Sequence, residues 1–167
     1  MAKKHTRQVA ALPWRPGDNG LQVLLVTSRE TRRWVIPKGW PMRGLRDHDA
    51  AAREALEEAG IRGDISAHVL GTYSYDKRRE PDRRMNIEVD VYPLRVRQEL
   101  SRWREKGERS RQWFDAAEAQ SLVQEPGLAE LIRRFCNASG GGEPEEPTPG
   151  LSDSFWTRFL RRLGHKS

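Results

Sequence analysis

The chain has 167 residues, enough for one domain with a buried core and too few for two full ones. Thirty Lys and Arg against 24 Asp and Glu give a net charge of +6 and a pI near 9.9, which favours polyanionic partners such as polyphosphates, nucleic acid or a lipid surface. One cysteine, Cys136, excludes an intramolecular disulfide and a multi-cysteine zinc cage. With no apolar run near the roughly 18 to 20 residues of a membrane span, and only 9–12 apolar at the N-terminus, a soluble cytoplasmic protein is expected.

In chain order, 8–14 and 21–29 read as two β-prone runs around the turn RPGDNG, a hairpin. A third short strand is expected over 34–36, ended by Pro37. A loop over 38–46 follows, and then a helix capped by Asp47 or Asp49, rich in alanine and stopped by Gly60. Strands are expected at about 65–75 and 87–96, joined by the basic loop DKRREPDRR over 76–84, which is either a solvated turn or a phosphate grip. The charged stretch 98–110 reads as loop with some helix. AAEAQSLV and PGLAELIRRFC read as two short helices, the second with Leu128, Leu131, Ile132 and Phe135 at core-facing spacing.

Composition changes after residue 137. The domain is expected over 1–137, a flexible acidic Gly/Pro-rich linker over 138–152, and a basic amphipathic helix over 153–167. The aromatic side of that helix suits docking on the domain or a second subunit, or an anionic membrane, and the alternative is a tail disordered in the free protein. Of two nearby tryptophans, Trp34 suits the core and Trp40, between Gly39 and Pro41, suits a cleft.

The stretch 39–61, GWPMRGLRDHDAAAREALEEAGI, organises the rest. At about 100° per residue, Glu54, Glu57 and Glu58 share one helical face. Like charges crowded there repel, and a hard divalent cation with oxygen ligands is the economical counter-charge. Gly39 followed at fixed spacing by Arg53-Glu54-Ala55-Leu56-Glu57-Glu58-Ala59-Gly60-Ile61 resembles the signature of the Nudix hydrolases. One position departs: Leu45 stands where the signature has its first glutamate.

The resemblance implies an α/β fold, a Nudix-type α/β/α sandwich with a mixed sheet and a loop–helix catalytic motif. It implies Mg²⁺, with Mn²⁺ as an alternative, held by Glu54, Glu57, Glu58 and the Gly39 carbonyl, and Arg53 orienting the glutamates. Catalysis would rest on Arg53, Glu54 and Glu57. The general base stays open among Glu54, Glu57, Glu99, Glu105 and Glu108.

RRWVIPKGWP before the signature, then VDVYPLRV, a Trp/Glu-containing segment and RQWFDAAEA after it, carry a narrower resemblance, over about residues 8–135, to the diphosphoinositol polyphosphate and diadenosine polyphosphate hydrolases. It implies substrate cations at Arg32, Arg33, Lys38, Arg43, Arg109 and Arg111, since a substrate with many phosphates needs many cations. ADP-ribose, nucleotide sugars and RNA 5′ ends are the rival substrates. A degenerate module that binds polyphosphate or RNA without turnover is the rival class, kept open by Leu45; RNA has no recognition motif here.

Overall fold

Period-two alternation along the first two strands decides the layers. In β1 (Thr6–Gly17), Ala10, Leu12 and Trp14 point to one face while Val9 and Ala11 point to the other. In β2 (Gly20–Thr27), Val23 and Leu25 join the first set and Leu24 and Val26 the second. Both faces of these strands are therefore apolar and both must be covered. The computed structural model describes residues 6–139, the Arg79 side chain excepted, and it covers them with helices on either side.

After β2 come two strands of two residues each, β3 (Trp34–Val35) and β4 (Lys38–Gly39), then α1 (Asp47–Ala59), β5 (Ile61–Ile65), β6 (Gly71–Glu80), β7 (Arg83–Glu99), β8 (Arg111–Asp115), α2 (Ala116–Leu122) and α3 (Pro126–Ala138). Among the described residues the eight strands form one mixed sheet in the order β3-β2-β1-β7-β5, with β4 on β1, β6 on β7 and β8 on β2. The β1–β7 pairing is parallel, from Thr6 opposite Ile87 to Trp14 opposite Arg95; the other pairings are antiparallel.

Helix α1 lays Ala50, Ala51, Ala55 and Ala59, all fully buried, on the Val9/Leu24 face. On the opposite face, α2 and α3 pack Ala116, Ala119, Leu128, Leu131, Ile132 and Phe135, with Trp14 edge-on to Phe135 at 5.7 Å between centroids. The result is the expected α/β/α sandwich. Trp34 joins the second layer, edge-on to Phe114 at 5.0 Å.

Several sequence expectations shift. The N-terminal hairpin closes more tightly than RPGDNG suggested, leaving only Asp18 and Asn19 in its turn. No strand spans 65–75. Instead β5 starts directly after Gly60, and 66–70 turns over, with the Ser66 hydroxyl donating to the His68 carbonyl, before β6 begins. The basic segment 76–84 is not a loop: β6 runs on to Glu80 and β7 starts at Arg83, because pairing with a long partner strand overrides weak intrinsic propensity. The stretch 100–110 holds turns and no helix, and RQWFD, not anticipated as a strand, pairs along β2. Asp47 and Asp49 do not cap α1: the cap position is Arg46, and Asp47 and Asp49 pair with Arg7 and Arg46 in its first turn. Helix α3 extends to Ala138, and the linker from 140 onward and the helix expected over 153–167 lie outside the described residues.

No helix among the described residues is long and apolar enough to cross a membrane.

Candidate active site

Strand β4 brings Gly39 beside β1, opposite Val9, and α1 passes directly over it. A Cβ at Gly39 would lie 2.2 Å from Oε1 of Glu54, so only glycine lets this carboxylate lie flat against the backbone. The buried alanine stripe seats α1 on the sheet, and Glu54, Glu57 and Glu58 come off its edge toward Gly39 and the loop after β7.

The three carboxylates differ in environment. Glu58 is buried; its Oε2 accepts the Lys38 backbone N–H at 3.3 Å and its Oε1 accepts from Arg109 at 3.3 Å. Burial pushes its carboxyl up to about 7 against the pull of Arg109 and Lys38, with Glu54 and Glu105 adding repulsion. Glu54 is raised as well, first by burial and then by Glu57 and Glu105. Glu57 is half-buried and accepts from Arg53 Nε at 3.4 Å and from Arg104 at 3.3 Å.

The charged loop over 100–111 completes the helix that carries them. The last carbonyls of a helix have no partner within it. Here the Glu57 carbonyl accepts the Glu105 N–H (3.1 Å), the Glu58 carbonyl accepts Trp103 Nε1–H (3.1 Å), the Ala59 carbonyl accepts from Arg111 (2.7 Å), and the Gly60 carbonyl accepts the Leu100 N–H (2.7 Å) and Arg111 (3.2 Å). Gly60 takes the left-handed conformation (φ 63°), and its bare Cα faces the Trp103 indole, on which the Arg111 guanidinium stacks at 4.0 Å. Changing Trp103 to Phe keeps an aromatic ring and removes the bond to the Glu58 carbonyl. The variant is expected to lose about 1–2 kcal/mol in denaturant unfolding.

The proposed substrate cations separate into groups. Arg109 is largely buried and donates to Glu58, Glu105 and the Thr27 carbonyl, and Arg111 is engaged with the end of α1, so both hold the site together from behind. Lys38 is half-buried: desolvation lowers its ammonium, Glu58 and Glu125 pull it back up, and its Nζ lies 5.4 Å from the Tyr75 ring. Arg33 pairs with Glu125. Arg32, with φ of 54°, reaches the Glu108 carbonyl at 3.4 Å, and Arg43 is exposed on the loop before α1.

Of the three acids suggested in the later chain, Glu105 lies against Arg109 at 3.2 Å beside Glu58 and Glu54. Glu99 instead accepts from Trp113, and Glu108 sits near the exposed Arg29. Sequence reasoning did not single out Trp103, Arg104 or Glu125. An isolated tryptophan in so polar a stretch was a usable packing signal for Trp103; nothing local marks the other two.

Among the described residues, no three Asp, Glu, His or Cys side chains converge as a ready metal cage. Glu57 is held by Arg53 and Arg104, and Glu58 by Arg109 and the Lys38 amide. The donors are nonetheless all hard oxygens, carried on a crowded, partly desolvated face against a glycine. That chemistry fits a hard divalent cation.

A mixed-sheet sandwich with an REALEEAG helix passing over a loop glycine is a Nudix-type fold. The NUDIX domain family matches residues 4–135, and the chain belongs to that family. It is 33% identical over 120 residues to Nudix hydrolase 16, mitochondrial, of Arabidopsis thaliana, across 70% of this chain and 66% of that protein. It is 28% identical over 155 residues to diphosphoinositol polyphosphate phosphohydrolase 2 of Rattus norvegicus, across 89% and 80%. Its fold resembles the Ap4A hydrolase of C. elegans in a binary complex, with a TM-score of 0.61 and 19% identity over 82% of this chain and 99% of that one. The matched region spans 55–66% of the length of the plant relatives.

Proposed function

We propose that the protein is a Mg²⁺-dependent hydrolase of phosphoanhydride bonds in highly phosphorylated diphosphates, with diadenosine polyphosphates and diphosphoinositol polyphosphates as the two candidate classes. The observation that carries this reading is the trio Glu54, Glu57 and Glu58 on α1, with Glu54 lying so close to Gly39 that a Cβ there would displace it.

These three carboxylates and the Gly39 carbonyl are the groups that would hold Mg²⁺ or Mn²⁺. When bound, such an ion neutralises phosphate oxygens and lowers the pKa of a coordinated water. The protein's own part is to fix the acids. Arg53 orients Glu57, Arg109 and the Lys38 amide hold Glu58, and the Trp103–Arg111 pair anchors the turn that bears Glu57 and Glu58. Glu105, tethered through Arg109 and through its own N–H to the Glu57 carbonyl, is the best-supported of the later acids for taking a proton from attacking water. Arg43 and Arg32 lie at the surface, where they can meet phosphates, while Arg109 and Arg111 act on the enzyme's own backbone and carboxylates. A cytoplasmic location belongs to the same reading, although several of the similar plant proteins are named as mitochondrial or chloroplastic.

Leu45 favours the rival of a binding module without turnover, since it stands exposed where the signature carries a carboxylate. Purified protein incubated with diadenosine tetraphosphate, diphosphoinositol polyphosphates, ADP-ribose, nucleotide sugars and 5′-triphosphorylated RNA separates the two. The expected result is release of phosphate or nucleotide from one of the first two classes with Mg²⁺ and none with chelator. Tight binding without product, with either metal, would reject the enzyme.

A further inference from the structure

The far end of the β6–β7 hairpin takes no part in the site on α1. Strand β6 runs out to Glu80 and β7 returns from Arg83, while β1 joins β7 only from Ile87 onward. Among the described residues, 76–86 is therefore a two-stranded ribbon with no third strand beside it.

Register decides where its charges stand. Arg78 lies opposite Arg84, and both are exposed. Opposite residues on antiparallel strands hold their Cβ atoms about 4.5–5.5 Å apart, and like charges there repel. The nearby acids do not relieve the pair: Asp76 accepts from Asn86 at 3.1 Å, and Glu80 stands opposite Arg83. Neither Arg78 nor Arg84 makes an ion pair among the described residues. Two guanidinium forks held this close without a counter-charge suit phosphate oxygens, which accept paired N–H bonds from each fork.

The other face of the ribbon adds an aromatic. Side chains alternate along a strand, so Lys77 projects away from the arginine pair. Its ammonium lies 5.6 Å from the Trp40 ring, and Trp40 is one of the two exposed large hydrophobics among the described residues. An exposed indole beside a cation offers a nucleobase a stacking platform and its phosphate a counter-charge.

The two faces meet at the outer edge of β6, since β6 pairs with β7 alone. A flexible single strand bends over such an edge and touches both. A duplex is too stiff to do so. An anionic bilayer is flat and meets one face at a time, and inorganic polyphosphate has no ring to lay on Trp40.

We propose that the β6–β7 ribbon and Trp40 bind single-stranded nucleic acid, with Arg78 and Arg84 on successive phosphates and a base stacked on Trp40. The surface is separate from the glutamates of α1, and its binding does not depend on their chemistry.

The test is fluorescence anisotropy of a labelled oligothymidylate titrated with the full chain across a salt series. Each phosphate contact on a single strand contributes about 0.7 to the log–log salt slope, so Arg78→Gln with Arg84→Gln should flatten it by about 1.4. The same variant should melt no lower than the wild type, because it removes a repulsion. Arg62→Gln with Arg133→Gln, which deletes the same charge from exposed positions on β5 and α3, should leave the slope as it is. Trp40→Ala should weaken binding about five- to a hundredfold at every salt concentration and keep the wild-type slope. A wild-type chain that binds no oligonucleotide overturns the proposal, as does an unchanged slope in the ribbon variant or equal flattening in the two arginine variants. Binding to phosphatidylglycerol vesicles that the ribbon variant loses, with no oligonucleotide bound, would overturn it in favour of a membrane.

Discussion

Changing Glu57 and Glu58 together to glutamine lowers Mg²⁺-dependent phosphate release by at least about a thousandfold, roughly 4 kcal/mol of barrier, and moves the thermal midpoint by no more than about 5 °C. The asymmetry follows from what each carboxylate does. Glutamine keeps the shape and an acceptor oxygen, so the Lys38 amide still has a partner at position 58. Arg109 loses one ion pair but keeps Glu105 and the Thr27 carbonyl, so it is not stranded. The Arg53 and Arg104 contacts to Glu57 come from largely exposed side chains, and surface pairs of this kind contribute little. What disappears is two negative charges on the face that would hold a dication, and neutral amides bind hard cations poorly. Measured turnover and a melting curve decide it: activity retained in the double variant would refute the assignment of these acids to metal.

The sequence made the helix legible because its signals are local. Gly60 stops α1 in the left-handed conformation, the alanines need only the 3.6-residue period to be read as a buried stripe, and the three glutamates share a face by arithmetic. The sandwich was legible only through the resemblance of 39–61 to the Nudix signature; the structure adds the physical reason, since β1 and β2 are apolar on both faces and need two covering layers. The strands in the second half were less so. Residues 76–80 are polar and basic and pair only because β7 lies alongside, a tertiary cause that no window of sequence contains. RQWFD reads as a strand only once β2 offers it an edge.

The site divides along the same line. Which residues bear charge could be read directly, but which charges face the ligand could not. Arg109 and Arg111 looked like phosphate binders beside Arg43, yet both turn inward, because a helix that ends at the active site leaves carbonyls and acids needing donors and the nearest arginines supply them. Glu125 was silent in the sequence for the converse reason. Its significance comes from burial beside Arg33 and within electrostatic reach of Lys38, a property of three segments meeting.

Gly39→Ala is expected to separate stability from activity more sharply than any change in an acid. The added Cβ would lie 2.2 Å from Glu54 Oε1 and 2.3 Å from its Cδ, inside contact distance, so something must yield. The obstacle is the end of a flexible side chain and not backbone, and Gly39 has no positive φ, so the fold can yield cheaply by swinging Glu54 aside. A stability loss within about 1 kcal/mol is expected on that account. Glu54, however, cannot keep its place against the loop, and displacing a catalytic group by an ångström costs about a hundredfold in rate. Gly44, in the same loop, gives the opposite pattern. It has φ of 82° and nothing within 4 Å of a built Cβ, so Gly44→Ala strains the backbone by about 1–2 kcal/mol and leaves Glu54 untouched. Chemical denaturation and steady-state turnover on the pair should therefore cross over, with position 39 losing rate and position 44 losing stability. Full activity in Gly39→Ala would show that Glu54 does not act from the place it occupies against Gly39.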